Sequence, residues 1–345
     1  MVILATLLLV LGSCSSPKPE RPVVERVHLP LDGRVIVGIG QQYNELAVYF
    51  PATREVERFP GARFGRFEFV HGAVWASEDT AYAMVETDVF HVRLYKLSLD
   101  RKAEPIGPVL RGGGLLGLSG DVVIVESYRG IWTMDVGNPR AWRLLAKGFT
   151  AALSPDGRSV AYVPKGGGSV WRVPVDGSDV PTLLAEVRDL ELGDVGLSSP
   201  RFSQVAWGKP GIAITVATGP RFLEPGALVF VPSAGPVAVI ALGDALAYDP
   251  TWQPNGAVLA FSTCVSCLGG FSRGTPQADL RLFDAGTGEL RQVAAAPEFL
   301  LGVAWSPDGD FVTTRPRYGQ IIFVDARSGT VEPRAFDAWP KDWGE

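Results

Sequence analysis

Along most of this chain, apolar positions come in short runs of four to six, separated by clusters of Pro, Asp, Asn, Ser and Gly. The stretch from Ala151 to Gly177 shows the unit. An apolar run ends at Leu153 and a turn follows at Ser154-Pro155-Asp156-Gly157. Val160-Ala161-Tyr162-Val163 resumes, Gly166-Gly167-Gly168 breaks it, and Val170-Trp171-Arg172-Val173 leads to a second turn at Asp176-Gly177. Pro presets φ at the second turn position, Asp bonds its own backbone, and Gly accepts positive φ, so each break has a mechanism. Runs rich in Val, Trp and Tyr between such breaks predict strands joined as hairpins. Apolar patterns of helical period and useful length are absent, so the chain reads as all-β.

The unit returns. Val303-Ala304-Trp305-Ser306-Pro307-Asp308-Gly309 repeats the first turn, and Thr251-Trp252-Gln253-Pro254-Asn255-Gly256 is a variant of it. Farther along each unit, Phe283-Asp284-Ala285-Gly286-Thr287-Gly288 matches Val324-Asp325-Ala326-Arg327-Ser328-Gly329 position for position. Weaker copies begin at Val74, Leu116 and Val205. A period of about 40 to 50 residues with about four short strands per unit predicts a β-propeller, whereas a β-sandwich would not need one kind of turn returning in one frame. The units run over 32–58, 67–105, 113–147, 149–186, 199–241, 246–294 and 299–336, so seven four-stranded blades are expected, with six or eight left open by the irregular first and fifth units.

Ser-Pro-Asp-Gly after an apolar or Trp residue, followed by Val-Ala-Tyr or Val-Leu-Ala-Phe, resembles the TolB-type, WD40-like propeller repeat. That resemblance is carried by the fourth, sixth and seventh units and extends in pattern over most of the chain. It implies a fold and not an activity, because one architecture hosts many functions. Trp75, Trp207, Trp252 and Trp305 precede the first turn of their units, with Leu153 in the same slot. Residues at equivalent places on neighbouring blades are expected to pack sheet to sheet rather than to form a ligand ring.

Composition supports this outline. The 345 residues are 46% hydrophobic and 20% charged, with 40 Gly and 27 Pro to supply the turns, and a net charge of −5 argues against nucleic acid as partner. The run Val2 to Leu11 is too short to span a bilayer but suits the apolar core of a signal peptide. Leu11-Gly12-Ser13-Cys14 then resembles the lipobox of bacterial lipoproteins, which implies a lipid on Cys14, membrane attachment through that lipid only, and an extracytoplasmic location at the cell envelope. No Lys or Arg precedes the apolar run, which points to a start upstream or to a weakly charged signal. The expected organisation is a signal peptide over 1–13, a tether over 14–27, one propeller over 28–338 and a tail over 339–345. Ser15 to Pro22 is too polar and Pro-rich to build a core. Outside the cytoplasm Cys264 and Cys267 are expected to pair as a small-loop disulfide, since three histidines and no second Cys pair leave a zinc site without ligands.

Propeller geometry sorts the loops. If the strands run outward from the channel, the Pro-Asp-Gly and Asp-Gly turns share one face and the links between second and third strands share the other. Variable loops on a rigid scaffold are where binding concentrates. The second face is expected to carry Tyr128, Arg129, Lys165, Arg221, Phe222, Phe271, Arg273, Arg315, Arg317 and Tyr318. Arg beside aromatics suits carboxylate or phosphate forks and stacking, so an envelope protein or an anionic or glycan ligand is the expected partner. No nucleophile elbow, phosphate loop or histidine pair at metal spacing appears, so no catalytic residue, metal or cofactor is assigned. The alternative is a hydrolase or lyase working through carboxylates at the channel mouth.

Overall fold

The computed structural model describes residues 33–39, 45–64, 70–88, 91–190, 192, 200–218, 224–243, 245–265, 277–296, 300–316, 320–333 and 339–344. Cys14, the apolar run before it and the tether lie outside these residues. Four-stranded antiparallel sheets account for nearly all the regular structure, and there are seven of them. β1 (Arg34–Ile39), β2 (Glu45–Phe50) and β3 (Glu55–Arg63) belong to blade 1. Blade 2 is β4 (Val70–Trp75), β5 (Thr80–Asp88), β6 (His91–Ser98) and β7 (Glu104–Arg111). Blade 3 is β8 (Gly114–Ser119), β9 (Val122–Ser127), β10 (Gly130–Asp135) and β11 (Trp142–Ala146). β12 (Gly148–Leu153), β13 (Ser159–Pro164), β14 (Ser169–Pro174) and β15 (Thr182–Glu186) make blade 4. β16 (Arg201–Gly208), β17 (Gly211–Thr218), β18 (Glu224–Pro232) and β19 (Ala238–Ala241) make blade 5. In blade 6 the strands are β20 (Ala245–Trp252), β21 (Val258–Val265), β22 (Gln277–Asp284) and β23 (Leu290–Ala296). Blade 7 is β24 (Leu300–Trp305), β25 (Phe311–Pro316), β26 (Ile322–Asp325) and β27 (Val331–Pro333). Among the described residues no helix is long and apolar enough to cross a membrane.

The last strand corrects the sequence reading. Residues 339–345 were expected to be a tail, but β28 (Trp339–Gly344) pairs antiparallel with β1 and completes blade 1. It is the innermost strand there, abutting β24 on one side and β4 on the other. The cause is the unpaired edge: without β28, the inner amides and carbonyls of β1 would face the channel with no partner.

The core is divided, one apolar cluster per blade junction. Ile36, Leu46 and Val48 of blade 1 meet Ala81, Ala83 and Val85 of blade 2. The ring closes where Val35 and Tyr49 of blade 1 meet Phe311 and Phe323 of blade 7, with the Tyr49 and Phe323 rings 5.9 Å apart. Tryptophans stitch the inner strands as expected. Trp252 and Trp305 are buried, and their indole N–H groups donate to Ala206 O at 3.2 Å and Thr251 O at 3.0 Å. Each acceptor lies just before the tryptophan of the preceding blade.

A second stitch comes from β-bulges. In every blade the ladder between the innermost strand and its neighbour slips by one residue, for example between Phe149 and Ala151, Tyr248 and Thr251, and Leu301 and Ala304. A bulge turns one amide out of the ladder, and that amide needs another acceptor. The preceding blade supplies it: Gln204 Oε1 takes Asp249 N at 2.9 Å and Asp249 Oδ2 takes Gly302 N at 3.1 Å. The Glu126 carboxylate takes the amide of Thr150 in the same way.

The Ser-Pro-Asp-Gly turns are twins. Ser154 Oγ donates to Asp156 Oδ1 at 2.6 Å and accepts Ser159 N at 2.9 Å; Ser306 Oγ donates to Asp308 Oδ1 at 2.5 Å and accepts Phe311 N at 2.9 Å. The Ser154 hydroxyl, then the Arg158 amide, hold the Asp156 carboxyl below its usual 3.8. A carboxyl depressed in the folded state stabilises above its unfolded value and loses that contribution as pH falls through the folded one. Ser154→Ala should therefore cost about 1 kcal/mol at neutral pH, from the lost hydrogen bonds of a buried hydroxyl. The gap from wild type should begin to narrow as pH falls below about 3.8, where the unfolded carboxyl protonates, and finish narrowing as pH passes the lower value of folded Asp156. Urea midpoints across that range measure both, and a gap that stays constant would count against the charged bond.

Candidate functional site

The loop sorting holds for the described blades. Links between second and third strands, and those from a fourth strand to the next first strand, open on one face. There, blades 2 to 4 enclose a cavity of about 1010 Å³. Tyr128, Arg129 and Lys165, three of the expected residues, line it together.

Local structure fixes each wall. Tyr128 and Arg129 form the turn between β9 and β10. The buried Ser127 hydroxyl holds that turn, accepting Arg129 N at 3.2 Å and Trp132 Nε1 at 3.0 Å and donating to Gly130 O at 3.3 Å. The Tyr128 amide donates to Arg111 O at 3.1 Å, tying the turn to the link from blade 2. That link is Gly112-Gly113, with φ of 58° and 131°. A Cβ on Gly112 would fall 2.4 Å from Tyr128 Cε2, so the ring lies directly on the bare backbone. Most of the side chain still stands in solvent, at 73% exposure. A Cβ on Gly113 would fall 1.9 Å from Glu126 O. Gly112 and Gly113 thus line the cavity as bare backbone.

The charges divide by depth. Glu126, at the inner end of β9, is partly buried, and its desolvation pushes the carboxyl above the ordinary range against a smaller pull from the Thr150 amide. Glu86 faces the cavity from blade 2 with its Oε2 3.1 Å from His71 Nε2, an ion pair when the ring is protonated. Arg129, Lys147 and Lys165 stand exposed around the rim, and Phe149 closes the blade 4 side. Thr150, the next residue, has φ of 42°, costly for a β-branched side chain, where blade 6 uses Asp249 and blade 7 Gly302. The Glu126 acceptor thus bonds a strained bulge as well as lining the cavity.

Other expected residues fall elsewhere. Arg315 is not on a surface loop: it lies within β25 opposite Leu301 and is 2% exposed. The strand runs on to Pro316, and Thr313 and Thr314 before Arg315 are fully buried too, so both faces of β25 are covered at this level. Arg221, Phe222, Phe271, Arg273, Arg317 and Tyr318 lie outside the described residues. Cys264 is buried near the end of β21, and its expected partner Cys267 is also outside them. The sequence reading missed Glu126, Lys147 and the His71–Glu86 pair. A signal existed for Glu126, a charge closing the apolar run Val122-Val123-Ile124-Val125. Among the described residues, no cluster of three or more His, Cys, Asp or Glu is arranged to hold a metal. A smaller cavity of about 360 Å³ between the inner strands of blades 3 to 6 is lined by apolar residues such as Leu116, Leu153 and Trp207, though polar atoms make up the larger part of its wall.

No protein-family model matches the chain, and no curated protein sequence matches it. Many solved structures superimpose on it. A candidate 6-phosphogluconolactonase from Bacteroides uniformis ATCC 8492 aligns at 15% identity over 90% of this chain and 98% of its own, with a TM-score of 0.58. An oligogalacturonate lyase in complex with manganese aligns at 12% identity over 74% of each chain, with a TM-score of 0.52. TolB from Acinetobacter baumannii aligns at 11% identity over 87% of this chain and 78% of its own, at 0.47, too low to argue from. The likeness at these identities is one of fold.

Proposed function

We propose that this seven-bladed propeller is a non-catalytic binding module, held at the bacterial cell envelope by a lipid on Cys14, that takes an anionic or glycan-bearing partner at the mouth formed by blades 2 to 4. The observation that carries the reading is the meeting of Tyr128, Arg129 and Lys165 in one cavity, from turns on two blades. A rigid aromatic flanked by cations gives affinity through area and selectivity through charge, and neither turn needs to reorder on binding. Anchoring is tested by Cys14→Ser, which should move the protein from the membrane to the soluble fraction. Recognition is tested by crosslinking in intact cells: Arg129→Ala with Lys165→Ala should lose a partner that wild type recovers. Unchanged recovery would remove this site from the reading.

One observation favours the enzymatic alternative. A carboxyl raised by burial, as at Glu126, keeps its proton to a higher pH than an exposed one, which suits a general acid. Turnover of any member of a lactone, glycan and peptide panel, abolished by Glu126→Gln, would replace the binding reading with this one.

A further inference from the structure

We infer that the ligand of this mouth is an acidic saccharide, an oligosaccharide bearing carboxylate or phosphate groups and no base, with a ring stacked on Tyr128, its hydroxyls on Glu126 and Glu86, and its anionic group among Lys147, Lys165 and Arg129. The inference rests on the binding reading above and narrows it. Three features of the cavity meet only in such a ligand.

The first is the platform. Tyr128 lies against Gly112 so closely that any side chain there would displace it, while most of the ring is left to solvent. Its backbone is fixed by the Ser127 hydroxyl and by the bond to Arg111 O. An aromatic held this way loses little freedom on binding, and its negative face attracts the weakly positive C–H groups on one side of a sugar ring.

The second is the floor. Glu126 and Glu86 are acceptors when ionised and offer no proton of their own. Sugar hydroxyls donate to carboxylates readily. An acidic peptide brings its own carboxylates toward these two and is repelled. The third is the rim, where three exposed cations disfavour a cationic ligand and reward an anion at the outer edge. Hydroxyls inside, a flat apolar face on the tyrosine, and negative charge outside describe one chemical class.

The test is an array of acidic and neutral oligosaccharides with tetraglutamate and mononucleotides as competitors, probed with the intact chain, followed by calorimetric titration of whatever is retained. Acidic saccharides should be retained, with their neutral counterparts at least about tenfold weaker. Tyr128→Ala should weaken them by about tenfold or more, roughly 1.4 kcal/mol. Lys147→Ala with Lys165→Ala should flatten the salt dependence. A preference for neutral saccharides, tetraglutamate or mononucleotides, an empty array, or a Tyr128→Ala protein with unchanged affinity each overturns the inference. The broader reading fails separately: it stands if crosslinking recovers a partner sensitive to Arg129→Ala and Lys165→Ala, whatever the array shows. Thermal midpoints of each variant establish that lost binding is not lost fold.

Discussion

A chain ending at residue 338 is expected to lose cooperative folding, or to melt far below the intact protein and associate. Removing β28 deletes the innermost strand of blade 1 and strips the pairings that join Arg34–Ile39 to Trp339–Gly344. It also opens the inner ends of two junction clusters, the one shared with blade 2 and the one shared with blade 7. A ring is stable because every sheet face is covered by a neighbour, so opening one junction weakens the next. The loss should be on the order of 5 kcal/mol or more, comparable with the whole stability of many domains. The exposed edge of β1 offers a template to a second chain. A graded variant guards against a trivial failure. Asp342→Pro removes one amide opposite Ile36 and should cost about 3 kcal/mol while leaving a folded protein. Circular dichroism melts and size-exclusion profiles measure both, and a truncated chain that stays monomeric with an unchanged midpoint would refute the closure.

That strand also shows where sequence reasoning reaches its limit. Blades 4, 6 and 7 are legible because Ser-Pro-Asp-Gly and its variant each carry a turn mechanism, and the twin hydrogen bonds at Ser154 and Ser306 are what those residues were expected to make. Trp339-Pro340-Lys341-Asp342-Trp343-Gly344 has no β-branched residue and contains Pro and Gly, so propensity reads it as a tail. It becomes a strand because of a partner 300 residues away, and no local pattern encodes that demand. One trace was present: Trp343-Gly344 repeats Trp207-Gly208, and Trp343 sits opposite Val35 as Trp305 sits opposite Val312.

The site was legible to a similar depth. Which turns share a face followed from strand order alone, and Tyr128, Arg129 and Lys165 came together for that reason. Which strand residues face the cavity did not follow, because the bulges shift the alternation by one. Glu126 lines the floor and also accepts the Thr150 amide that the bulge in β12 turns out of its ladder. Arg315 shows the reverse error, a charge near a predicted loop that proves to be buried strand.

Trp252→Ala is expected to cost about 3 to 5 kcal/mol, the range for emptying a buried aromatic site. The indole is buried at the junction of blades 5 and 6, tilted against Phe230 at 5.7 Å, and it donates to Ala206 O. Trp252→Phe keeps much of the area and should lose less, with about 1 kcal/mol of the difference coming from the missing hydrogen bond. The neighbouring Gly208 makes the assignment sharper. A Cβ there would fall 2.3 Å from Trp252 Cγ and 2.8 Å from its Cβ, closer than atoms pack, so Gly208→Ala should cost about 1 to 3 kcal/mol through displaced packing. In the Trp252→Ala background the contacts with the ring are gone and only the one with the Cβ at 2.8 Å remains, so the added methyl should cost less. The two losses would then fall short of additive by about 1 kcal/mol or more, which a double-mutant cycle in urea reads directly. Additive losses would mean that Gly208 is required by its backbone and not by the ring beside it, and the tryptophan stitch between inner strands would lose its steric basis.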